Sequence, residues 1–160
     1  MQDLMPISQT GHEKLKKELS ELEKEAVQVR QRVAEAREQG DLRENGEYIY
    51  GRQHLGFIEG NLGELRGKLN YSKVIDCTQV PCDRAAFGTV VKLLDLETRK
   101  EVVYQLLGPY DSDLIDNSIS ILSPIGDALI GLAVGDKVSV TVPRGQLHFE
   151  LLEISKSPIQ

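Results

Sequence analysis

The first half of the chain carries a heptad pattern of apolar residues. Its apolar positions are separated alternately by four and three residues and are Leu15, Leu19, Leu22, Ala26, Val29, Val33 and Ala36. This spacing keeps one stripe of an α-helix against a partner, as in a coiled coil. Thr10 and Glu13 fit a capping box, in which each side chain bonds an exposed amide, so the pattern predicts that a long helix begins near Thr10.

A second heptad pattern follows, with the order of its spacings reversed. Its positions are Tyr48, Gly51, Leu55, Ile58, Leu62, Leu65 and Leu69. When the two sets are paired from the outside inwards, the residue numbers of each pair sum to 84, so the stripes mirror each other about position 42. An antiparallel pair of helices stacks its layers in this way. The sequence therefore predicts a helical hairpin, an arm roughly 40 Å long at about 1.5 Å per residue.

The second predicted helix is rich in glycine. Each interior glycine costs a helix about 1 kcal/mol relative to alanine, and the glycines are Gly46, Gly51, Gly56, Gly60, Gly63 and Gly67. We expect the arm to be stabilised by pairing rather than by helix propensity. Gly51 is also expected to leave a gap opposite Val33.

The hydrophobic period changes after Asp76. Residues 77–84 contain Pro81 and no heptad pattern, which is typical of a linker. Alternating or continuous apolar runs then predict strands, and Pro124 lies near the first turn of a short predicted helix. The strands are predicted at 87–95, 102–107, 118–122, 138–142 and 147–151, and the helix at 124–132.

These elements predict an α+β fold class. An N-terminal antiparallel two-helix coiled coil is followed by a small α+β domain with a mostly antiparallel sheet. The predicted boundaries are an arm at 1–76 with its tip at 40–46, a linker at 77–84 and a second domain at 85–160.

Composition limits the possible functions. Acidic residues outnumber basic ones by 25 to 19 among 160 residues, giving a formal net charge of -6, which disfavours unaided nucleic-acid binding. No apolar run approaches the roughly 20 residues that a membrane span requires. The N-terminus shows no secretory signal, so a cytoplasmic protein is expected. Cys77 and Cys82 are too few for a zinc site and are expected to be free thiols.

Two carboxylates lie at the predicted turn. Gly40 can adopt the left-handed conformation that ends a helix, and Asp41 and Glu44 follow it. Their spacing fits an N-cap residue with its third-position glutamate. It also fits two ligands of a divalent cation, although Mg²⁺ requires six oxygens, so a partner would have to supply the others. The spacing alone leaves both interpretations open.

Charged residues flank the predicted heptad stripes near the tip. Taking Leu15 as a d position places Arg30, Arg37 and Arg52 at e positions on one edge of the hairpin. The other edge mixes Arg32, Glu47 and His54. The arginine edge is either a solvated charged face or a local contact for a polyanion.

The residues around the tip also carry a family resemblance. The segment 35–48, EAREQGDLRENGEY, closely resembles the tip signature of the bacterial transcript-cleavage factors GreA and GreB. Further similar segments occur in order along nearly the whole chain, at 56–60, 73–76, 87–88, 123–125, 129–131 and 135–136. The chain is most similar to GreA.

The resemblance implies a role in transcription elongation. It implies that the arm enters the secondary channel of a backtracked RNA polymerase, and that Asp41 and Glu44 help to hold an Mg²⁺ ion shared with the polymerase active site. The polymerase then cleaves its own transcript, so the chain is expected to be an accessory factor rather than an enzyme. It is expected to bind no cofactor tightly by itself.

The resemblance also implies roles for other residues. Arg37 and Arg52 match a basic patch that contacts the 3′ end of the backtracked RNA, and Arg30 lies on the same edge. Gly40, Asn45 and Tyr48 would support the tip. The second domain resembles the FKBP-like fold that docks on the rim of the channel, and the segment matching the docking site contains Ser123, Pro124 and Ile125.

The expected partners are RNA polymerase and the RNA 3′ end within its complex, with the chain as a monomer and without a membrane. The sequence departs from the family pattern at Gly46, where alanine or serine is usual, and at Asp127, where a basic residue is common. Gly46 would loosen the start of the second helix, and Asp127 would alter the contacts of the docking segment.

Two other functions are considered. One is a Gre-like regulator that occupies the channel and inhibits or competes without promoting cleavage, although the intact Asp41 and Glu44 pair argues against it. The other is a peptidyl-prolyl isomerase, suggested by the FKBP-like domain alone, but fold does not determine function. The second domain has no Trp and only Phe87 and Phe149 among its phenylalanines, too few aromatic residues for a proline pocket.

Overall fold

The computed structural model describes residues 4–40, 45–111 and 116–158. The chain divides into two compact units, one formed by 13–71 and the other by 1–12 with 72–160. The predicted boundary after Asp76 thus lies a few residues beyond the observed division. Within the described ranges, no helix has the length and apolar character needed to cross a membrane.

The first unit is the predicted helical hairpin. Helix α1 spans Gln9–Glu38 and helix α2 spans Gly46–Asn70. The buried centre of the hairpin contains Ala26, Val29, Ile58 and Leu62, with Leu19, Leu22, Val33 and Leu55 packed against it. These residues form the mirrored layers expected from the sequence, so the antiparallel coiled coil is confirmed.

The glycines of α2 have two different environments. Gly51 is buried, and a Cβ atom there would lie 2.8 Å from Cγ2 of Val33, so the expected gap at this layer is wrong: the valine methyl group approaches the α2 backbone closely. By contrast, an added Cβ would meet nothing within 4 Å at Gly56, Gly60, Gly63 or Gly67. Packing within the chain therefore does not explain the glycines at these four positions.

The second unit includes a small sheet that the sequence did not predict. Strand β1, Met5–Ser8, pairs in parallel with β2, Ser72–Ile75. Each strand has only four residues, too few for a clear alternating pattern. Helix α1 begins directly after β1, and Ser8 Oγ accepts a hydrogen bond of 3.0 Å from the amide of Gly11. The start of α1 therefore lies before the predicted capping box at Thr10 and Glu13.

The main sheet of this unit has five strands in the order β5-β4-β3-β7-β6. All neighbouring pairs are antiparallel except β4 with β5, which is parallel. Helix α3 is shorter than predicted and packs against the sheet with Leu129 in the core. The elements are β3 Thr89–Asp95, β4 Glu101–Leu107, β5 Ser118–Ser120, α3 Pro124–Leu129, β6 Lys137–Val142 and β7 Gly145–Lys156.

The residues predicted as a linker belong partly to the core of the second unit. Cys77–Gln79 form a 3-10 helix, and the completely buried Cys77 packs with Phe87 and Leu107. Burial raises the pKa of the Cys77 thiol, and the nearby Asp111 adds to the shift. Both cysteines are free, with Cys82 half-buried.

A buried carboxylate joins the end of β1 to the turn after β4 in the second unit. Asp111 is completely buried and accepts hydrogen bonds of 2.9 Å from the amide and the hydroxyl of Ser8. The amide of Gly108 approaches the same carboxylate at 3.4 Å. Burial is the main cause that raises the pKa of Asp111, and these hydrogen bonds oppose it. Asp111 thereby ties the last residue of β1, directly before α1, to the turn after β4.

Candidate functional site

The two ends of the hairpin turn are joined by one side chain. Helix α1 ends at Glu38, and Gly40 has a φ of 153°, which favours glycine. Asn45 is the N-cap of α2: its Oδ1 accepts a 3.1 Å hydrogen bond from the amide of Tyr48, while its Nδ2 donates to the carbonyl of Ala36 at 2.6 Å. Asn45 therefore both starts the second helix and fixes it to the last turn of the first.

The predicted acidic residues Asp41 and Glu44 lie outside the described residues. Because α2 begins at Gly46 with Asn45 as its N-cap, the interpretation of Asp41 as the cap of this helix is wrong. The interpretation as metal ligands stays a prediction. Among the residues that the structure describes, no three His, Cys, Asp or Glu side chains form a group that could hold a metal ion.

We expect Asn45→Ala to destabilise the arm by about 1–2 kcal/mol, because it removes the helix cap and the bond to Ala36. Asn45→Asp keeps an oxygen for the Tyr48 amide but loses the amide donor, so its effect should be smaller. Amide hydrogen exchange in α2 measures both. Equal protection in the wild type and Asn45→Ala would contradict the assigned role.

An open basic groove lies along one edge of the arm near the turn. It has a volume of about 750 Å³, and its lining includes Arg30, Arg37, Arg52 and Tyr48. The guanidinium carbon of Arg52 lies 5.9 Å from the centre of the Tyr48 ring, and its Nη1 donates to the Tyr48 hydroxyl at 3.4 Å. The structure thus brings the three predicted basic residues and one predicted support residue together.

The three arginines are not equivalent. Arg30 Nη2 lies 3.4 Å from Oε1 of Glu59 across the hairpin, so its charge is partly neutralised. By contrast, Arg37 and Arg52 line the same groove, and within the described ranges neither has an acidic partner. Glu38 also lines this groove, so the groove combines three cations with one carboxylate, and like charges in one groove favour an added anion. Arg37 also stands in the last turn of α1, where a cation stabilises the helix dipole without any ligand.

The opposite edge of the arm carries a smaller pocket of about 270 Å³, whose lining includes Arg32, Glu47, Tyr50 and His54. His54 Nε2 lies 3.3 Å from Oε1 of Glu25, and the Tyr50 and His54 ring centres are 5.9 Å apart. Tyr50 is 69% exposed. The sequence analysis missed Tyr50 because it lies off the heptad stripe, although an aromatic residue at an outward position is a visible signal.

The predicted docking residues have different environments. Ser123 is the N-cap of α3: its Oγ accepts from the amide of Gly126 at 3.1 Å and donates to the carbonyl of Ser120 at 2.6 Å. Ile125 packs against the core, whereas Pro124 is exposed. Exposed apolar side chains that the sequence analysis did not single out precede and follow α3, namely Leu122, Ile130 and Val134.

Comparison with known proteins covers both units. Residues 5–74 match the family model described as transcription elongation factor, N-terminal. Residues 80–156 match the model described as transcription elongation factor, GreA/GreB, C-term. The chain belongs to the GreA/GreB transcription elongation factor family.

Relatives within this family are similar over their full length. The transcription elongation factor GreA of Desulfotalea psychrophila is 47% identical over 155 residues, which is 96% of each chain. GreA of Nitratiruptor sp. is 39% identical over 160 residues, covering 100% of this chain and 98% of the relative. Among solved structures, GreA factor homolog 1 of Thermus thermophilus is 23% identical with a TM-score of 0.45, covering 96% of this chain and 99% of that one.

The two departures from the family pattern have structural environments that accept them. At Gly46, the first residue of α2, an added Cβ would meet nothing within 4 Å, so no contact requires glycine. Asp127 is exposed in the first turn of α3, where a negative charge is favoured by the helix dipole.

Proposed function

We propose that this chain binds RNA polymerase during elongation, inserts its arm into the secondary channel and stimulates Mg²⁺-dependent cleavage of backtracked RNA by the polymerase active site. Membership of the GreA/GreB family supports the role in elongation. A factor that acts inside the polymerase works where transcription occurs, in the bacterial cytoplasm.

The observation that carries the proposal is the structure of the hairpin end. Asn45 bonds both Ala36 and Tyr48, so residues 39–45 connect two helix ends that are tied together. Asp41 and Glu44 supply carboxylate oxygens, the ligands that Mg²⁺ prefers, but fewer than the six that it requires. The chain would therefore share the ion with the polymerase. When bound, Mg²⁺ lowers the pKa of a coordinated water and stabilises the leaving oxygen.

The arginine groove supports an RNA contact near the end of the arm. Arg37 and Arg52 form no ion pair among the described residues, and the cation–π contact and hydrogen bond of Arg52 with Tyr48 hold its guanidinium at the groove. We assign these two arginines to phosphates of the RNA 3′ end. Arg30 contributes less because Glu59 neutralises part of its charge.

Docking of the second unit on the polymerase rim is proposed to use exposed apolar residues around α3. Pro124 remains in this surface, and Leu122 and Val134, each 59% exposed, are added to it. Ser123 and Ile125 are assigned to its support, because one caps α3 and the other packs on the core.

The proposal is tested on a defined backtracked polymerase complex carrying end-labelled RNA. We expect the RNA to shorten rapidly only when polymerase, Mg²⁺ and the wild-type chain are all present. The chain alone should leave free RNA intact. If the chain slows nucleotide addition and releases no short RNA, it is a channel-binding competitor and the cleavage proposal is wrong.

A further inference from the structure

The pocket on the edge opposite the arginine groove has no role in the proposed cleavage mechanism. We call it the Tyr50 pocket, and its lining includes Arg32, Glu35, Glu47, Tyr50, Gly51 and His54. Of the two carboxylates, Glu35 already accepts a 3.5 Å hydrogen bond from Gln31 Nε2. Its volume of about 270 Å³ lies below the roughly 300–1,000 Å³ of sites for drug-sized ligands. Its occupant is therefore a small group, such as one nucleobase or one side chain.

The lining combines the three features that recognise an unpaired base. Such bases stack on aromatic side chains and use hydrogen-bond donors and acceptors on their edges. Tyr50 provides an exposed ring, Arg32 provides donors and Glu47 provides acceptors. Within the described part of the chain, no hydrogen bond or ion pair occupies Arg32 or Glu47, whereas His54 is held by Glu25.

We propose that the Tyr50 pocket binds a guanine base, from the RNA near the arm tip or from a free nucleotide. Guanine presents two adjacent N–H donors, on N1 and N2, which match one carboxylate, and an O6 acceptor, which matches a guanidinium. Adenine lacks this pair of donors. The biological role rests on the proposed function, but binding of the base does not.

Binding of one base without phosphate contacts is weak. The net charge of -6 disfavours tight, unaided binding of nucleic acid, and a millimolar contact is compatible with it. Inside a polymerase complex, the local concentration of RNA would be high because both molecules are held by the same enzyme.

The test is an NMR titration of the full-length, isotope-labelled chain with GMP and, separately, IMP. IMP carries the same phosphate and lacks only the 2-amino group. We expect GMP to shift the amide signals of Tyr50, Gly51 and His54, with an affinity at least fivefold higher than that of IMP. The affinity of a four-nucleotide RNA ending in guanosine is compared with that of GMP, which shows whether an RNA end or a free nucleotide binds better. The same RNA ending in inosine is its control.

Two variants separate the pocket from general charge effects. Glu47→Gln should remove the preference for GMP over IMP, whereas Glu64→Gln, with the same charge change farther along α2, should retain it. Equal shifts by GMP and IMP confined to Arg37 and Arg52 would mean phosphate binding only and would overturn the proposal. The absence of any GMP-dependent shift at Tyr50, Gly51 and His54 would also overturn it. The titration contains no polymerase, so a negative result would contradict guanine binding without contradicting the proposed role in RNA cleavage.

Discussion

Asp41→Asn is expected to abolish factor-dependent RNA cleavage while leaving polymerase binding nearly unchanged. Asparagine keeps the size of the side chain but removes the negative charge and one of the oxygens that Mg²⁺ prefers. If this carboxylate holds the shared ion, we expect the cleavage rate to fall about 100-fold or more, which corresponds to roughly 3 kcal/mol in the activation barrier. The rate is measured on a backtracked complex at saturating factor.

The control for this prediction is Asp83→Asn, which removes the same charge at an exposed position of the second unit. It should stimulate cleavage by the polymerase to the wild-type rate. Competition between labelled wild-type factor and each variant for polymerase measures binding. Unchanged cleavage by Asp41→Asn would contradict the metal role, and loss of binding would show that Asp41 acts in docking instead.

The arm could be predicted because the apolar pattern of each helix lies within one continuous segment of the sequence. The alternating spacing of three and four residues identifies each helix, and the mirror order identifies the antiparallel layers, which the packing of Ala26 and Val29 against Ile58 and Leu62 confirms. The small sheet could not be predicted in the same way. It pairs Met5 with Ser72, residues that are far apart in sequence and lie in strands too short to show a period.

The sequence predicted which basic residues lie at the candidate site, but it did not predict which acidic residue pairs with them. The e positions identified Arg30, Arg37 and Arg52, but the ion pair between Arg30 and Glu59, which stands at an e position of the other helix, was not predicted. The same register could have shown this pair. The sequence offered Asp41 as an N-cap residue and gave Asn45 only a supporting role at the tip, although asparagine is an equally good N-cap residue. The helix start at Gly46 identifies Asn45 as the cap of α2.

The environment of a glycine could not be predicted from the local sequence, because glycines in this chain have opposite environments. Gly63 faces open space in α2, whereas a Cβ on Gly108 would overlap the backbone carbonyl oxygen of Pro6. Pro6 lies in β1, and Gly108 directly follows β4. The close approach thus depends on contacts between distant segments, which no local pattern reports.

Gly108→Ala is therefore expected to destabilise the second unit by about 3 kcal/mol, because backbone atoms must separate to admit the methyl group. Gly63→Ala should instead stabilise α2 by up to about 1 kcal/mol, since alanine has the higher helix propensity and meets no neighbour there. Amide hydrogen exchange measures the two units separately. Protection in β1 and β4 should fall in the first variant, and protection in α2 should rise in the second. Equal effects of the two substitutions would show that the approach of Pro6 to Gly108 does not constrain the fold.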